Sequence, residues 1–300
     1  MEYIIETKGL SKKFKDMDAV KNIDLKIPKG CIYGFLGPNG AGKSTTIRML
    51  LGLIKMTKGE VSILGKSIEK DRVEILTQVG ALVESPSYYG TLTAYENLEI
   101  IRRVLNLSKE SIDECLEIVG LSQNRNKQVK NFSLGMKQRL GIAKAIIGKP
   151  KILILDEPTN GLDPMGIIEI REMIKKLPEK TGMTVIVSSH VLSEIEQIAT
   201  HVGIINKGVL CFQGTLSELM KLGIDETKLV ARPVNKAHDI LEKLGYDIYK
   251  NKDEIFIKNL KNSSVMNRQL VESNIDVYYL SREKETLEDI FIKVIKKGGK

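Results

Sequence analysis

The chain is poor in three things, and each absence removes a class of protein. Nowhere in its 300 residues is there a run of about 18 apolar residues, the length a bilayer-spanning helix needs, so no direct membrane insertion is expected. Cysteine occurs three times, at Cys31, Cys115 and Cys211, spaced too widely for a disulfide framework. The three are expected to be reduced thiols with structural roles, as in a cytosolic protein. Aromatic residues make up 5% of the chain and are not interleaved with its lysines, and no nucleic-acid-binding motif is present. No nucleic acid is therefore expected as a partner. The start, Met1-Glu2-Tyr3-Ile4-Ile5-Glu6, carries acidic residues and no long apolar core, so it does not read as a signal peptide. The net charge of +8 fits a nucleic-acid binder, a protein at an anionic membrane surface or a lysine-rich soluble chain, and does not choose among them.

What is present centres on Gly37-Pro38-Asn39-Gly40-Ala41-Gly42-Lys43-Ser44. An apolar run, Cys31 to Leu36, precedes it, and a helix-like run from Thr45 to Leu51 follows. Strand, glycine loop and helix are the context that the phosphate-loop motif G-x-x-x-x-G-K-[ST] requires. Glycines let successive backbone N–H groups converge on phosphate oxygens, and the helix N-terminus faces the same anion. Lys43 is then expected to reach the β- and γ-phosphates, and the Ser44 hydroxyl to bind Mg²⁺.

The length allows one large domain, or a large one and a small one. Tyr3–Thr7 and Ala19–Ile27 alternate as strands, and Phe14 between them reads either as a small core anchor or as a platform for a stacked base. Further strands are expected at 60–65, 79–84, 151–157, 184–190, 202–205 and 209–212. Helices are expected at 72–77, 136–147, 164–177, 192–199 and 215–222. Thr93, with Glu96 three residues on, opens a helical segment that continues with interruptions through Leu107, and a second runs from Ser111 to Val119. Residues 93–128 thus read as a helical insertion, within a helical subdomain of about 93–150. Beyond residue 223 the pattern is strand 228–233, helix 236–244, strands 246–250 and 254–258, helix 263–273, strand 276–281 and helix 286–296. Its first six elements have the βαββαβ order of a small α+β ferredoxin-like domain. The expected domains are 1–223 and 224–300, in the α/β class.

The other half of the phosphate chemistry lies in Leu153-Ile154-Leu155-Asp156-Glu157, an apolar strand closed by two carboxylates. Asp156 can orient a water on Mg²⁺, and Glu157 can accept the proton of an attacking water; a solvated acidic turn is the alternative. His190 ends a second apolar strand, at the sheet edge where open α/β sheets bind ligands, and is expected to touch the γ-phosphate. Asn131-Phe132-Ser133-Leu134-Gly135 opens a helix and makes a second anion site or a plain helix cap. It cannot easily share the loop's phosphate within one chain, which raises a second protomer as its user.

As a set, these residues resemble the ATP-binding subunits of ABC transporters. The phosphate loop, Phe132–Arg139, Asp156-Glu157, Asn160-Gly161-Leu162-Asp163 and His190 occur in that family's order, over about residues 3–222. The resemblance implies a P-loop core with an antiparallel β subdomain and a helical subdomain. It implies ATP and Mg²⁺ as ligands, and a head-to-tail homodimer closing on two ATP molecules. The cofactor-binding residues would be Phe14, stacking adenine, Gly37–Thr45, and Ser133 and Gly135 of the other copy. Lys43, Glu157 and His190 would be catalytic, and Asp163 would couple the two sites. A separate multi-span permease is the implied membrane partner, with this chain cytoplasmic and peripheral on the inner face of the membrane.

Two departures from the family pattern stand out. Leu134 and Met136 replace a glycine and the glutamine of the usual Leu-Ser-Gly-Gly-Gln signature. Glu84 stands where most members have glutamine, beside the metal and the membrane subunit. Glutamate there, and the C-terminal Thr286-Leu287-Glu288-Asp289-Ile290-Phe291, resemble exporters of lantibiotics, bacitracin and related peptide antibiotics, in resistance or self-immunity. Glu84 is expected to serve coupling more than ATP binding. The alternatives are another exporter or importer, or a soluble ABC-type ATPase acting on ribosomes or DNA. Ribosome-acting relatives usually carry two cassettes and DNA-acting ones long coiled coils; this chain has one cassette and no sustained heptads.

Overall fold

The structure, a computed structural model, describes residues 2–15, 17–84, 87–223 and 225–298. Two compact units divide the chain. One runs to Ser217 and takes in the chain from Lys293 onward; the other is Glu218–Ile292.

In the first unit the apolar strands of the sequence assemble into a six-stranded sheet. Its order is Val209–Thr215, His201–Asn206, Ile32–Leu36, Thr184–Ser189, Ile152–Asp156 and Val79–Leu82. All neighbours are parallel except the hairpin of Val209–Thr215 on His201–Asn206. Every residue of Ile32–Leu36, Ile152–Asp156 and Thr184–Ser189 is buried. That is what unbroken apolar runs dictate, because a central parallel strand has both faces covered. Parallel register also brings the C-terminal ends of these three strands to one edge, which sets the phosphate loop, Glu157 and His190 side by side.

A second, antiparallel sheet runs Met17–Ile23, Tyr3–Phe14, Lys58–Ile63, Lys66–Ser67, with Lys26–Pro28 also paired to Tyr3–Phe14. One core joins Ile5, Leu10 and Ile63 of this sheet to Ile154 and Ile186 of the first, with Ile47 and Leu50 of helix Lys43–Leu50 among them. The first strand is longer than its alternation suggests and carries Phe14 past the core, opposite Met17. Phe14 is 42% exposed, with the Lys12 ammonium 4.8 Å above its ring, so the core-anchor reading of Phe14 is incorrect.

The helical region contains Ala94–Val104, Glu110–Ile118 and Leu134–Ile146. Thr93 and Glu96 form a complete capping box. The helix it starts is continuous rather than interrupted. Glu99 pairs with both Arg102 and Arg103 along it, and their hydrogen bonds pull the Glu99 carboxyl down to about 2. Helix Leu134–Ile146 approaches strand Val79–Leu82 so closely that a Cβ on Gly80 would lie 2.0 Å from the Ala145 carbonyl oxygen; only glycine fits there.

The second unit has an antiparallel sheet in the order Ile248–Asn251, Glu254–Lys258, Asp225–Arg232, Asp276–Lys284. Leu229, Ala231, Ile255 and Ile257 of the sheet are buried with Ala237 and Leu241 of helix Val234–Lys243 and Met266 and Leu270 of helix Ser263–Glu272. The helix Leu287–Gly298 follows the last strand.

Candidate functional site

The buried strand Ile32–Leu36 delivers the chain into the glycine loop, and helix Lys43–Leu50 leaves it. Gly42, between them, has φ of 110°, and a Cβ there would sit 2.6 Å from the Ala19 carbonyl oxygen, so backbone conformation and space both demand glycine. The loop is braced from the distant turn Asn206-Lys207-Gly208. The Gly208 N–H donates to the Ala41 carbonyl (2.9 Å), and the Lys21 N–H donates to the Gly208 carbonyl (2.7 Å).

Lys43 is 5% exposed. Its ammonium donates to the Gly37 carbonyl at 2.7 Å and the Pro38 carbonyl at 3.4 Å, and lies 3.3 Å from Glu157 Oε1. Gly37 and Pro38 therefore serve by holding Lys43. The other oxygen of Glu157 is 2.6 Å from His190 Nδ1. One carboxylate thus bridges the lysine that follows the loop and the histidine that ends the neighbouring strand. Glu157 is held in the left-handed region at φ 51°, with its N–H donating to the Ser188 carbonyl (3.2 Å) and to Ser188 Oγ (3.0 Å). Such a conformation costs a non-glycine residue about 1–3 kcal/mol and persists where surrounding contacts enforce it.

These groups open onto a cavity of about 670 Å³. Asn39, Gly40, Ala41, Gly42, Ser44 and Thr45 line it with Lys43, Glu157 and His190. Lys21, Lys207, Asp18 and Asn160 line it too. With Lys43 there are three lysines against two carboxylates, a balance suited to a polyanion. Sequence reasoning did not single out Lys21 or Lys207, since two lysines among many carry no local signal. Asp156 is 7% exposed and accepts a hydrogen bond from the Ser188 hydroxyl. Among the described residues no ion pair neutralises it. A buried carboxylate without a cation and the Ser44 hydroxyl beside the loop are hard oxygen donors, the set that Mg²⁺ prefers, so these residues fit that ion.

Four expected site residues, Phe14, Ser133, Gly135 and Glu84, lie elsewhere. Phe14 does not line the cavity, though Met17, its partner across the hairpin, does. Ser133 and Gly135 border a different cavity, of about 470 Å³, together with Gly161, Leu162 and Asp163. There the Ser133 hydroxyl caps its helix, accepting from the Met136 N–H at 3.2 Å. One chain does not bring this segment to its own phosphate loop. Glu84 also stands off the cavity, ion-paired with Arg48 on the outer side of helix Lys43–Leu50.

Residues 20–160 match the ABC transporter family. The chain is 44% identical over 304 aligned positions to the bacitracin transport ATP-binding protein BcrA of Bacillus licheniformis, covering 100% of this chain and 99% of that protein. It is 42% identical over 210 positions to the lantibiotic transport ATP-binding protein SrtF of Streptococcus pyogenes, covering 70% of this chain and 90% of that one. Among solved structures, it is similar to the dimeric post-hydrolysis state of the ATP-binding cassette MJ0796 bound to ADP and Pi. The TM-score is 0.63 at 28% identity, over 71% of this chain and 98% of that one.

Proposed function

Since the chain belongs to the family of ABC transporter ATP-binding proteins, which hydrolyse ATP to drive transport, we propose that it powers the export of a peptide antibiotic through a separate membrane subunit. The cargo class rests on full-length likeness to a bacitracin transport protein and on likeness to a lantibiotic one. Among the described residues no helix is long and apolar enough to cross a membrane, so translocation falls to a partner. The chain would sit against that partner on the inner face of the membrane.

The observation that carries the ATPase chemistry is the convergence of Lys43, Glu157 and His190 on the cavity of the glycine loop. Loop N–H groups and the start of helix Lys43–Leu50 bind the phosphates of ATP. Lys43 moves its charge from Glu157 and the loop carbonyls to the β- and γ-phosphates. Ser44 and Asp156 would hold Mg²⁺, which when bound offsets phosphate charge. Glu157, freed of Lys43, takes the proton of the attacking water, and His190 fixes that carboxylate through Nδ1. Phe14, exposed at its hairpin, offers a ring to the adenine. Ser133 and Gly135 would complete the site of a second copy; the dimeric state of the similar cassette supports that arrangement. The residues up to about 223 form the ATPase domain in this reading, and those from 224 an accessory one.

The test is Glu157→Gln. It keeps the size and the hydrogen-bonding reach of the side chain but cannot take a proton. Steady-state phosphate release should fall about 10²- to 10⁴-fold, the usual contribution of a general base, with ATP affinity retained. Undiminished release would remove Glu157 from this role.

A further inference from the structure

Two neighbouring strands of the first unit end at Glu157 and His190, the pair that meets beside Lys43. Each strand then leads through a loop into a helix, Pro164–Thr181 or Leu192–Ile198. Beyond the Glu157–His190 contact, the two loops share a second tie: the Thr159 hydroxyl donates to Glu194 Oε2 at 2.5 Å. Glu194 stands in the first turn of helix Leu192–Ile198, where free N–H groups favour a negative charge. It is 9% exposed. Among the described residues no ion pair involves Glu194, and no other hydrogen bond joins residues 158–163 to its helix. Withdrawing a carboxylate from water with no cation beside it is costly, so its place there points to what it holds.

It holds a turn that serves two cavities. Glu157 and Asn160 line the glycine-loop cavity, whereas Gly161, Leu162 and Asp163 border the cavity of Ser133 and Gly135. Within the turn the Asn160 N–H donates to the Glu157 carbonyl and the Leu162 N–H to the Thr159 carbonyl, both at 3.1 Å. These bonds shape the turn but do not place it. Its start is placed by the Glu157 N–H on Ser188, and its end by Asp163, whose carboxylate accepts from the Gly166 N–H at 3.0 Å to cap helix Pro164–Thr181. Between those ends, the Thr159 hydroxyl makes the only side-chain hydrogen bond that leaves the turn among the described residues. Neither Thr159 nor Glu194 lines the glycine-loop cavity.

We propose that Glu194 is a positioning residue: through the Thr159 hydroxyl it fixes the turn that carries Glu157 against the helix that follows His190. This rests on the reading of Glu157 as the base of ATP hydrolysis. On that reading Glu157 gives up Lys43 when ATP binds, and its placement then depends on His190 and on the turn itself. The Thr159–Glu194 tie lies outside the cavity, so nucleotide does not displace it, and it keeps the two loops in register through that exchange. A carboxylate suits the task because a charged oxygen accepts a hydroxyl more strongly than a neutral amide does. The tie acts on turnover through Glu157 and leaves the phosphate-binding groups alone.

The experiment compares Glu194→Ala, Thr159→Val and Thr159→Ser in the full-length protein. It reads steady-state phosphate release and, separately, affinity for a fluorescent ATP analogue that is not hydrolysed. Glu194→Ala and Thr159→Val should each lower kcat about 10- to 100-fold, the scale of a catalytic group misplaced by about 1 Å, with KM and analogue affinity within about twofold. Thr159→Ser keeps the hydroxyl and should keep most of the parent kcat. Combining Glu194→Ala with Thr159→Val should cost no more than either change alone, because both remove one bond. A parent-like kcat in Glu194→Ala, a combined loss that multiplies the two single ones, or a loss carried by KM would overturn the proposal. Thr159→Val, nearly the same in shape, carries the test if Glu194→Ala does not fold. Glu157→Gln measured alongside separates the two readings: undiminished release there overturns the base and the proposal with it, whereas a fall there beside parent-like Glu194→Ala removes the positioning role alone. Hydrogen exchange without nucleotide gives a readout apart from turnover. Glu194→Ala should speed exchange of the peptide containing residues 157–162 while strand Ile152–Asp156 stays protected, and unchanged protection in that peptide would sink the tie.

Discussion

Cys31 and Cys115 show how burial decides chemistry one residue at a time. Both thiols are buried and pushed up to about 12, because a thiolate loses its hydration inside the core. At pH 8 almost none of either is ionised, so neither is a nucleophile. Cys211 is half-buried, on the strand Val209–Thr215 at the edge of the sheet, and burial raises its thiol as well. In the folded protein at pH 8, N-ethylmaleimide should modify Cys211 well before the other two, read by mass spectrometry. Raising the pH towards 9 should speed labelling of Cys211, while the thiolate fraction of the other two stays negligible at both values. Equal labelling at all three would show that the core opens on that timescale. Phe14 illustrates a different limit at this scale. Its neighbours in sequence leave open whether it is a core residue or an exposed ring, and only the length of its strand places it outside.

Among elements, helix Ala94–Val104 is the one whose start is written most plainly in the sequence. The Thr93 hydroxyl accepts from the Glu96 N–H at 3.2 Å, and the Glu96 carboxylate accepts from the Thr93 N–H at 2.7 Å. Replacing Thr93 by alanine should cost about 1 kcal/mol of stability, seen as a lower urea midpoint with unchanged slope. The same contacts hold the Glu96 carboxyl below its ordinary value, chiefly through the Thr93 backbone. A carboxyl lowered in the folded state adds stability that is complete above its unfolded value and is lost as pH falls through the folded one. Alanine keeps the backbone N–H but loses the hydroxyl that also donates to the Glu96 carboxylate, so the share of the Thr93→Ala penalty due to that contact should shrink at acid pH. Strand and helix types were legible because apolar runs, capping residues and glycine stops are local. The end points were less so: Pro164–Thr181 continues past Leu177, even with Pro178 inside it, to the left-handed Gly182, whose N–H donates to the Pro178 carbonyl at 2.8 Å.

For the whole molecule, the signature segment and the phosphate loop face different cavities of one chain. If two copies close on ATP, Ser133 of each must meet the loop of the other. Sedimentation of Glu157→Gln protein should then show dimers that require ATP, and Ser133→Arg should abolish them while leaving monomeric ATP affinity within about twofold, since Ser133 lies outside the chain's own loop cavity. Dimers that persist in Ser133→Arg would place the contact elsewhere.

The sequence by itself determined the glycine loop, the strand ending in Asp156 and Glu157, and the helix opening at Ser133. Each depends on a few neighbouring residues whose backbone and burial preferences agree. It also carried the family likeness, because those motifs keep their order along the chain. Tertiary structure alone decided which of them meet. Parallel register set Glu157 between Lys43 and His190. A hairpin more than 160 residues away braced the loop through Gly208 and brought Lys207 to its cavity. The turn after strand Val79–Leu82 gave Glu84 to Arg48. Long-range pairings of this kind leave no local trace, because an exposed lysine or arginine has the same neighbours in sequence whether or not a distant carboxylate or cavity awaits it.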